Sequence, residues 1–294
     1  EEAGTPAGSE RTARFAAYVE EKVQAQVREL LTNYGPVGLI WFDVPAQVSR
    51  EQSHQLRELV HSLQPECLVS GRVGHDAGDY GSLGDNQIPA GQVNGDWETP
   101  ATLNDTWGYK AYDDNWKSVG YLVRLMVQCA SKGVNYLLNV GPTAEGVIPP
   151  PSVERLRVIG QWLKVNGESI YGTRQSPFPC DFPWGRVTVK PGRLYLHLFR
   201  WPGRQFALAG LRSRVQEVRL LVSDTWVAGR RLLADGRRLV PFQQEHEPAN
   251  DYHVLRLELP EEAPDDLVSV VAIDLANGAA SRAFRSRRAS PPPS

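Results

Sequence analysis

Cysteine is scarce and scattered. Cys67, Cys129 and Cys180 are the only three in 294 residues. None belongs to a CxxC pair, which argues against a disulfide framework and against a zinc site. An excess of one charge is also missing: 32 basic residues meet 34 acidic ones, for a net charge of −2. With no basic face, nucleic acid is excluded as a partner. No apolar run approaches the ~20 residues of a membrane span, and there is no short-period repeat. The opening stretch EEAGTPAGSE lacks the apolar centre of a signal peptide. Residues 1–10 and 282–294, the latter ending SPPPS, read as disordered tails. What is present is a globular composition, long enough for one large domain or two ordinary ones. Eight tryptophans suit aromatic sugar platforms and core filling equally.

The chain is organised around Gly38-Leu39-Ile40-Trp41-Phe42-Asp43. Its continuous apolar run predicts a parallel strand covered on both faces. A carboxylate inside such a run is costly unless paired. At the strand's C-terminal end it faces the cleft where parallel α/β folds do their chemistry. The plainer reading is that Asp43 caps the loop before Pro45.

Around this strand the periodicity predicts helices over 11–34, 50–63 and 117–131. A further helix over 152–165 is expected to carry Ser152 as its N-cap. Strands are expected near 38, 68, 92, 134 and 169, with a long Gly- and Asp-rich loop over 74–91. This alternation means βα units and a parallel sheet over 11–173. Residues 174–184, rich in Pro and Phe, read as a linker. Short alternating runs over 185–281, separated by turns such as Pro191-Gly192 and Asp235-Gly236, predict an antiparallel β-sandwich.

Asp43, Arg72 and Trp97-Glu98 all fall just past expected strand ends. Two carboxylates and an arginine at one face suit glycoside hydrolysis, with one acid attacking the anomeric carbon and the other protonating the leaving oxygen. The arginine can keep a carboxylate ionised or bind a sugar hydroxyl. Asn104, Asp105, Trp107 and Tyr109 are candidates to shape the pocket. The competing reading is a structural ion pair. Asp79, Asp85 and Asn86 mimic a metal site but favour turns for their own reasons. In the sandwich, Trp201 and Trp226 read as packing residues.

The stretches QVRELLTNYGPVGLIWFD, SGRVG, GDYGSLGDNQIP, GDWETPATLNDTWGY, SKGVNYLLNVGPTAEGVIP and GESIYGT resemble the second half of an α-L-fucosidase of glycoside hydrolase family 29. GRLYLHLFRWPG is similar to that family's C-terminal domain. The resemblance implies an α/β fold, an incomplete (β/α)8-type barrel followed by an antiparallel β-sandwich. It implies Asp43 as nucleophile, Glu98 as acid/base, and Arg72 and Trp97 lining the sugar subsite. The implied reaction is retaining hydrolysis of terminal α-L-fucosides on a fucosylated glycan or glycoside, with no metal and no organic cofactor. It also points to an extracytoplasmic or lysosome-like compartment, which the residues themselves do not specify.

Two departures stand out. Val44 replaces the glycine that follows the WFD aspartate in the family, where glycine lets the chain turn freely. The family's N-terminal barrel half, with its fucose-gripping histidines, has no counterpart here. Among the six histidines, His54 and His61 read as solvated on a helix, His197 sits in a sandwich strand, and only His75 is considered near the site. The expectation is a fragment, or a chain completed by a second one, inactive when isolated. The alternatives are a degenerate glycan-binding or assembly module, and a retaining glycosidase for another sugar.

Overall fold

A computed structural model describes residues 6–221, 237–249 and 251–276. Trp226, the Asp235-Gly236 turn and the tail from Arg282 lie outside the described residues. The chain divides into two compact units. The first comprises Glu1–Leu83 and Gly95–Glu98, the second Gly84–Asn94 and Thr99–Ser294.

In the first unit, α1 (Pro6–Tyr18) runs through a π-helical turn (Val19–Gln24) into α2 (Ala25–Asn33). The helix therefore starts at Pro6, within the stretch expected to be a disordered tail. Strand β1 (Leu39–Ile40) pairs in parallel with β2 (Leu68–Val69), and α3 (Arg50–Leu63) connects them. Ser49 caps α3 in a reciprocal capping box with Gln52, which satisfies two backbone donors that a helix start leaves open. Val27, Leu31, Leu56, Leu59 and Val60 from the helices bury against Cys67, Val69 and Val73, with Ile40 and Phe42 packed alongside.

Strand β3 (Gly81–Ser82) lies inside the expected long loop and pairs in parallel with the start of β4 (Trp97–Thr102). The strand expected near 92 is thus displaced onto these two. Gln92 is held instead by its amide, which donates to the Ser176 and Phe178 carbonyls. Glu-Thr-Pro-Ala-Thr does not read as a strand because proline cannot donate to a ladder. It is buried nonetheless, and its threonine hydroxyls are paired: Thr99 Oγ1 donates to Gln87 O at 2.9 Å and Thr102 Oγ1 to Asn104 O at 2.5 Å.

In the second unit, α4 (Val119–Lys132) is capped by Ser118 and closed by Gly133 at φ +78°. Strand β5 (Val134–Asn139) follows α4. Helix α5 (Pro150–Asn166) starts two residues before the expected cap, with prolines in its first turn and no side-chain cap. Pro at N1 has no N–H to leave unsatisfied, so Ser152 is not needed as a cap and is buried inside the helix. The expected strand at 169–172 is a tight turn. Gly167–Ser169 is 3-10 helical, Tyr171 N donates to Gly167 O at 2.8 Å, and Ser169 Oγ donates to Asn166 O.

The sandwich strands are β6 (Gly185–Lys190), β7 (Arg193–Leu198), β8 (Gln205–Ala209), β9 (Val215–Leu221), β10 (Arg237–Leu239), β11 (Phe242–Glu247), β12 (Tyr252–Glu258) and β13 (Ser269–Leu275). They form an antiparallel sheet of order β10–β9–β13–β7–β6 and another of order β11–β12–β8. Along β13 the two periods separate cleanly. Val271, Ile273 and Leu275 enter the core between the sheets, while Val270 and Ala272 pack with residues of α4 and α5. Trp201 packs against the inter-sheet core and donates to Pro260 O at 3.0 Å.

Candidate active site

The parallel pairings of the first unit set a common level. Leu39 pairs with Leu68 and Ile40 with Val69, Ser70 bridges Tyr80, and Ser82 pairs with Glu98. Carried forward at the same offsets, Asp43 falls level with Arg72, Arg72 with Ser82, and Ser82 with Glu98. Asp43 lies past the end of β1 and Arg72 in the 3-10 turn Gly71–Val73, so the side these residues share is set by the contacts they make and not by strand alternation. Trp41, Ser70 and Tyr80 stand two residues before Asp43, Arg72 and Ser82 in the chain, while Ile40, Phe42 and Val69 pack into the core with the helices.

The contacts follow this register. Arg72 Nη1 meets Asp43 Oδ1 at 3.1 Å, Arg72 Nε donates to Ser82 Oγ at 3.2 Å, and Nη2 donates to Leu83 O at 3.2 Å. The guanidinium lies 4.9 Å from the centre of the Trp41 ring. Trp41 Nε1 in turn donates to Glu98 Oε1 at 2.5 Å. A relay of Arg72 and Trp41 therefore joins the two carboxylates.

Their surroundings differ. The Asp43 side chain is 51% exposed, while Glu98 is only 7% exposed. An open carboxylate engaged through one oxygen is not a buried structural ion pair. Beside Glu98, burial first, and then the nearby carboxylate, push the Tyr80 phenol well above its usual range. The Tyr80 hydroxyl makes no hydrogen bond of good geometry, so Glu98 acts on it chiefly through charge at short range.

Asp43, Arg72 and Glu98 are brought together as expected, although Trp97-Glu98 opens a strand instead of following one. Trp97 is not part of the cluster. By alternation it faces away from Glu98, against Gly81, where an added Cβ would stand 2.3 Å from the indole. Its packing supports β3. Trp41 and Ser82 complete the group unanticipated. Trp41 was legible as the residue two before Asp43 on one strand.

Val44 sits at φ +55°, ψ +60°, in the left-handed region, as the chain turns from Asp43 into Pro45–Gln47. His75 is exposed and bonds Val48 O at 2.7 Å. His61 is not simply solvated: it meets Asp79 at 2.9 Å. Asp79 also takes Arg57 Nη2 at 2.7 Å and Val69 N–H at 2.8 Å, and so ties α3 to β2. Asn86 Oδ1 accepts from Thr102 N and Lys117 Nζ. Asn104 and Tyr109 line a separate cavity of about 260 Å³ within the second unit, with Trp116 and Asn139.

A family model described as alpha-L-fucosidase matches residues 3–168. The chain is 30% identical over 200 residues to an alpha-L-fucosidase of Dictyostelium discoideum, covering 63% of this chain and 43% of that protein. It is 29% identical over 204 residues to the human tissue alpha-L-fucosidase, covering 63% and 42%. The chain thus spans less than half the length of these curated relatives. Among solved structures it resembles alpha-L-fucosidase isoenzyme 1 from Paenibacillus thiaminolyticus, at 35% identity and a TM-score of 0.75 over 89% of this chain and 63% of that one. It also resembles the alpha-L-fucosidase from Vibrio sp. strain EJY3, at 30% identity and a TM-score of 0.80 over 90% and 46%.

Proposed function

Because the chain belongs to the alpha-L-fucosidase family, we propose that it carries the catalytic carboxylates for hydrolysis of terminal α-L-fucosides with retention of configuration. Asp43 is the nucleophile, open at the rim and oriented by Arg72. Glu98 is the acid/base. Trp41 occupies its Oε1, which leaves Oε2 to carry the proton exchanged with the leaving oxygen and then with water. Arg72 also serves the sugar subsite, and Trp97 supports the site through Gly81. The observation that carries this reading is the relay joining one open and one buried carboxylate beside the parallel strands.

In this proposal residues 11–173 form the second half of a (β/α)8-type barrel, 174–184 a linker and 185–281 the sandwich. Leu39 and Leu68 support the incompleteness. They are register partners on the Asp43 face, yet are 41% and 48% exposed, whereas the inside of a closed barrel is filled. A preceding segment or a second chain supplies the remaining strands.

The test is hydrolysis of an aryl α-L-fucoside by the chain alone and by the chain joined to the N-terminal barrel half of the Paenibacillus relative. The joined protein is expected to turn over and to lose turnover in both Asp43→Ala and Glu98→Ala. The chain alone is expected to show none. Turnover that survives either substitution overturns the residue assignment, and robust turnover by the chain alone overturns the half-barrel reading. The second reading, a non-catalytic glycan-binding or assembly module, rests on Val44 beside Asp43 and predicts a joined protein that binds the fucoside without cleaving it.

A further inference from the structure

We infer that the β11–β12 hairpin of the sandwich holds a divalent transition-metal site for Zn²⁺, built from His246, Asp251 and His253. The donors are histidine and aspartate, so the scarcity of cysteine does not bear on it. His246 and His253 are directly opposed across the antiparallel pair. Their rings stack with centroids 4.1 Å apart and planes 11° apart. Asp251 stands in the turn at φ +54°. Its Oδ1 is 3.0 Å from His253 Nε2 and 4.0 Å from His246 Nε2.

All three ligand atoms lie within 4.8 Å of one another. A tetrahedral ion with bonds of about 2.0–2.1 Å sets its ligand atoms about 3.4 Å apart, between the two observed distances. Closing on an ion requires the two stacked imidazoles to rotate so that both Nε2 atoms aim at one point. Arg212 pairs with the other oxygen, Asp251 Oδ2. It takes up that oxygen and leaves Oδ1 toward the imidazoles, as outer partners of metal ligands do. His246 and Asp251 are half exposed and His253 is 13% exposed, so an ion has access from solvent and a fourth position for water. Two imidazoles and one carboxylate suit zinc and its transition-metal neighbours, whereas magnesium prefers oxygen donors. The ion would clip the hairpin end and belongs to no step of the hydrolysis.

The experiment is isothermal titration of the full chain with ZnCl₂ and, separately, MgCl₂, beside thermal melts with and without ZnCl₂. The expected result is one Zn²⁺ bound with micromolar or tighter affinity, a raised melting midpoint, and no Mg²⁺ binding. His246→Ala/His253→Ala is expected to weaken Zn²⁺ binding by at least about a hundredfold and to abolish the shift. His54, His61 and His75 remain in that variant and report any background binding. Asp251→Asn preserves shape, serves if the double variant fails to fold, and is expected to weaken binding by about tenfold or more. Zn²⁺ affinity weaker than millimolar in the unaltered chain, or affinity unchanged in the variants, overturns the site.

Discussion

Val44→Gly is expected to stabilise the chain. Left-handed backbone brings Cβ toward the following carbonyl oxygen and costs about 1–2 kcal/mol in a residue that is not glycine. Branching at Cβ makes valine a worse occupant than most. The residue is 75% exposed, so little burial offsets the strain at φ +55°. Glycine removes the strain but adds unfolded-state freedom, which costs about 0.4–1 kcal/mol. The difference is a net gain of about 1 kcal/mol, which raises the melting midpoint by about 1.5–2 °C in a chain of this length. The assay is thermal and urea unfolding of the chain, Val44→Ala and Val44→Gly, with the urea m-value required to stay constant. Alanine keeps Cβ and is expected to recover less than half of the gain. A Val44→Gly midpoint at or below that of the unaltered chain, or one that alanine matches, refutes the strain argument.

Other consequences follow from the same contacts. Asp79→Ala is expected to cost about 2–3 kcal/mol in urea unfolding, because Arg57, His61 and the Val69 N–H all lose their acceptor. Burial works to raise the Asp79 carboxyl's pKa, but hydrogen bonds from Arg57, Val69 and His61 bring it below its ordinary value. Its stabilisation is therefore full above the unfolded value of about 3.9 and is lost as pH falls through the lower folded value, a decline that Asp79→Asn should flatten. His197 is fully buried, and burial pushes its pKa down to about 3. The unfolded chain then binds the extra proton between about pH 6.5 and 3, so stability falls across that window as pH drops, by on the order of 5 kcal/mol. His197→Gln should remove that slope in pH-dependent unfolding, and an unchanged slope refutes the assignment. Gly81→Ala, whose Cβ would strike the Trp97 ring, is expected to lower the melting midpoint by several degrees, measured against Gly91→Ala, which meets nothing.

The sequence disclosed its helices best, because amphipathic spacing is a local signal that packing then reinforces. Helix α3 occupies the expected residues 50–63. Strands declared themselves where β-branched and leucine residues alternate, as in β9 and β13. They stayed hidden where pairing, not composition, makes the strand. Gly81-Ser82 has no apolar content, β4 contains Pro100, and β11, Phe-Gln-Gln-Glu-His-Glu, buries almost nothing. The same division holds at the candidate site. Asp43, Arg72 and Glu98 were reachable through long family-like stretches, and Trp41 through the two-residue period. Ser82 and Tyr80 were not, because the offset between neighbouring strands is fixed only once hydrogen bonds form between them. The tight turn at 167–169 was missed for a related reason: Ser169 bonds back to the helix it follows.

The shared level of Asp43, Arg72, Ser82 and Glu98 makes two kinds of length change unequal. A residue added in an exposed connection that packs against nothing alters only the path from one strand to the next. A residue deleted from β1 (Leu39–Ile40) exchanges the faces of the side chains in that strand and moves Asp43 off the level at which it meets Arg72. Evolution and engineering alike are free to vary the loops, while the count of residues within each strand stays fixed.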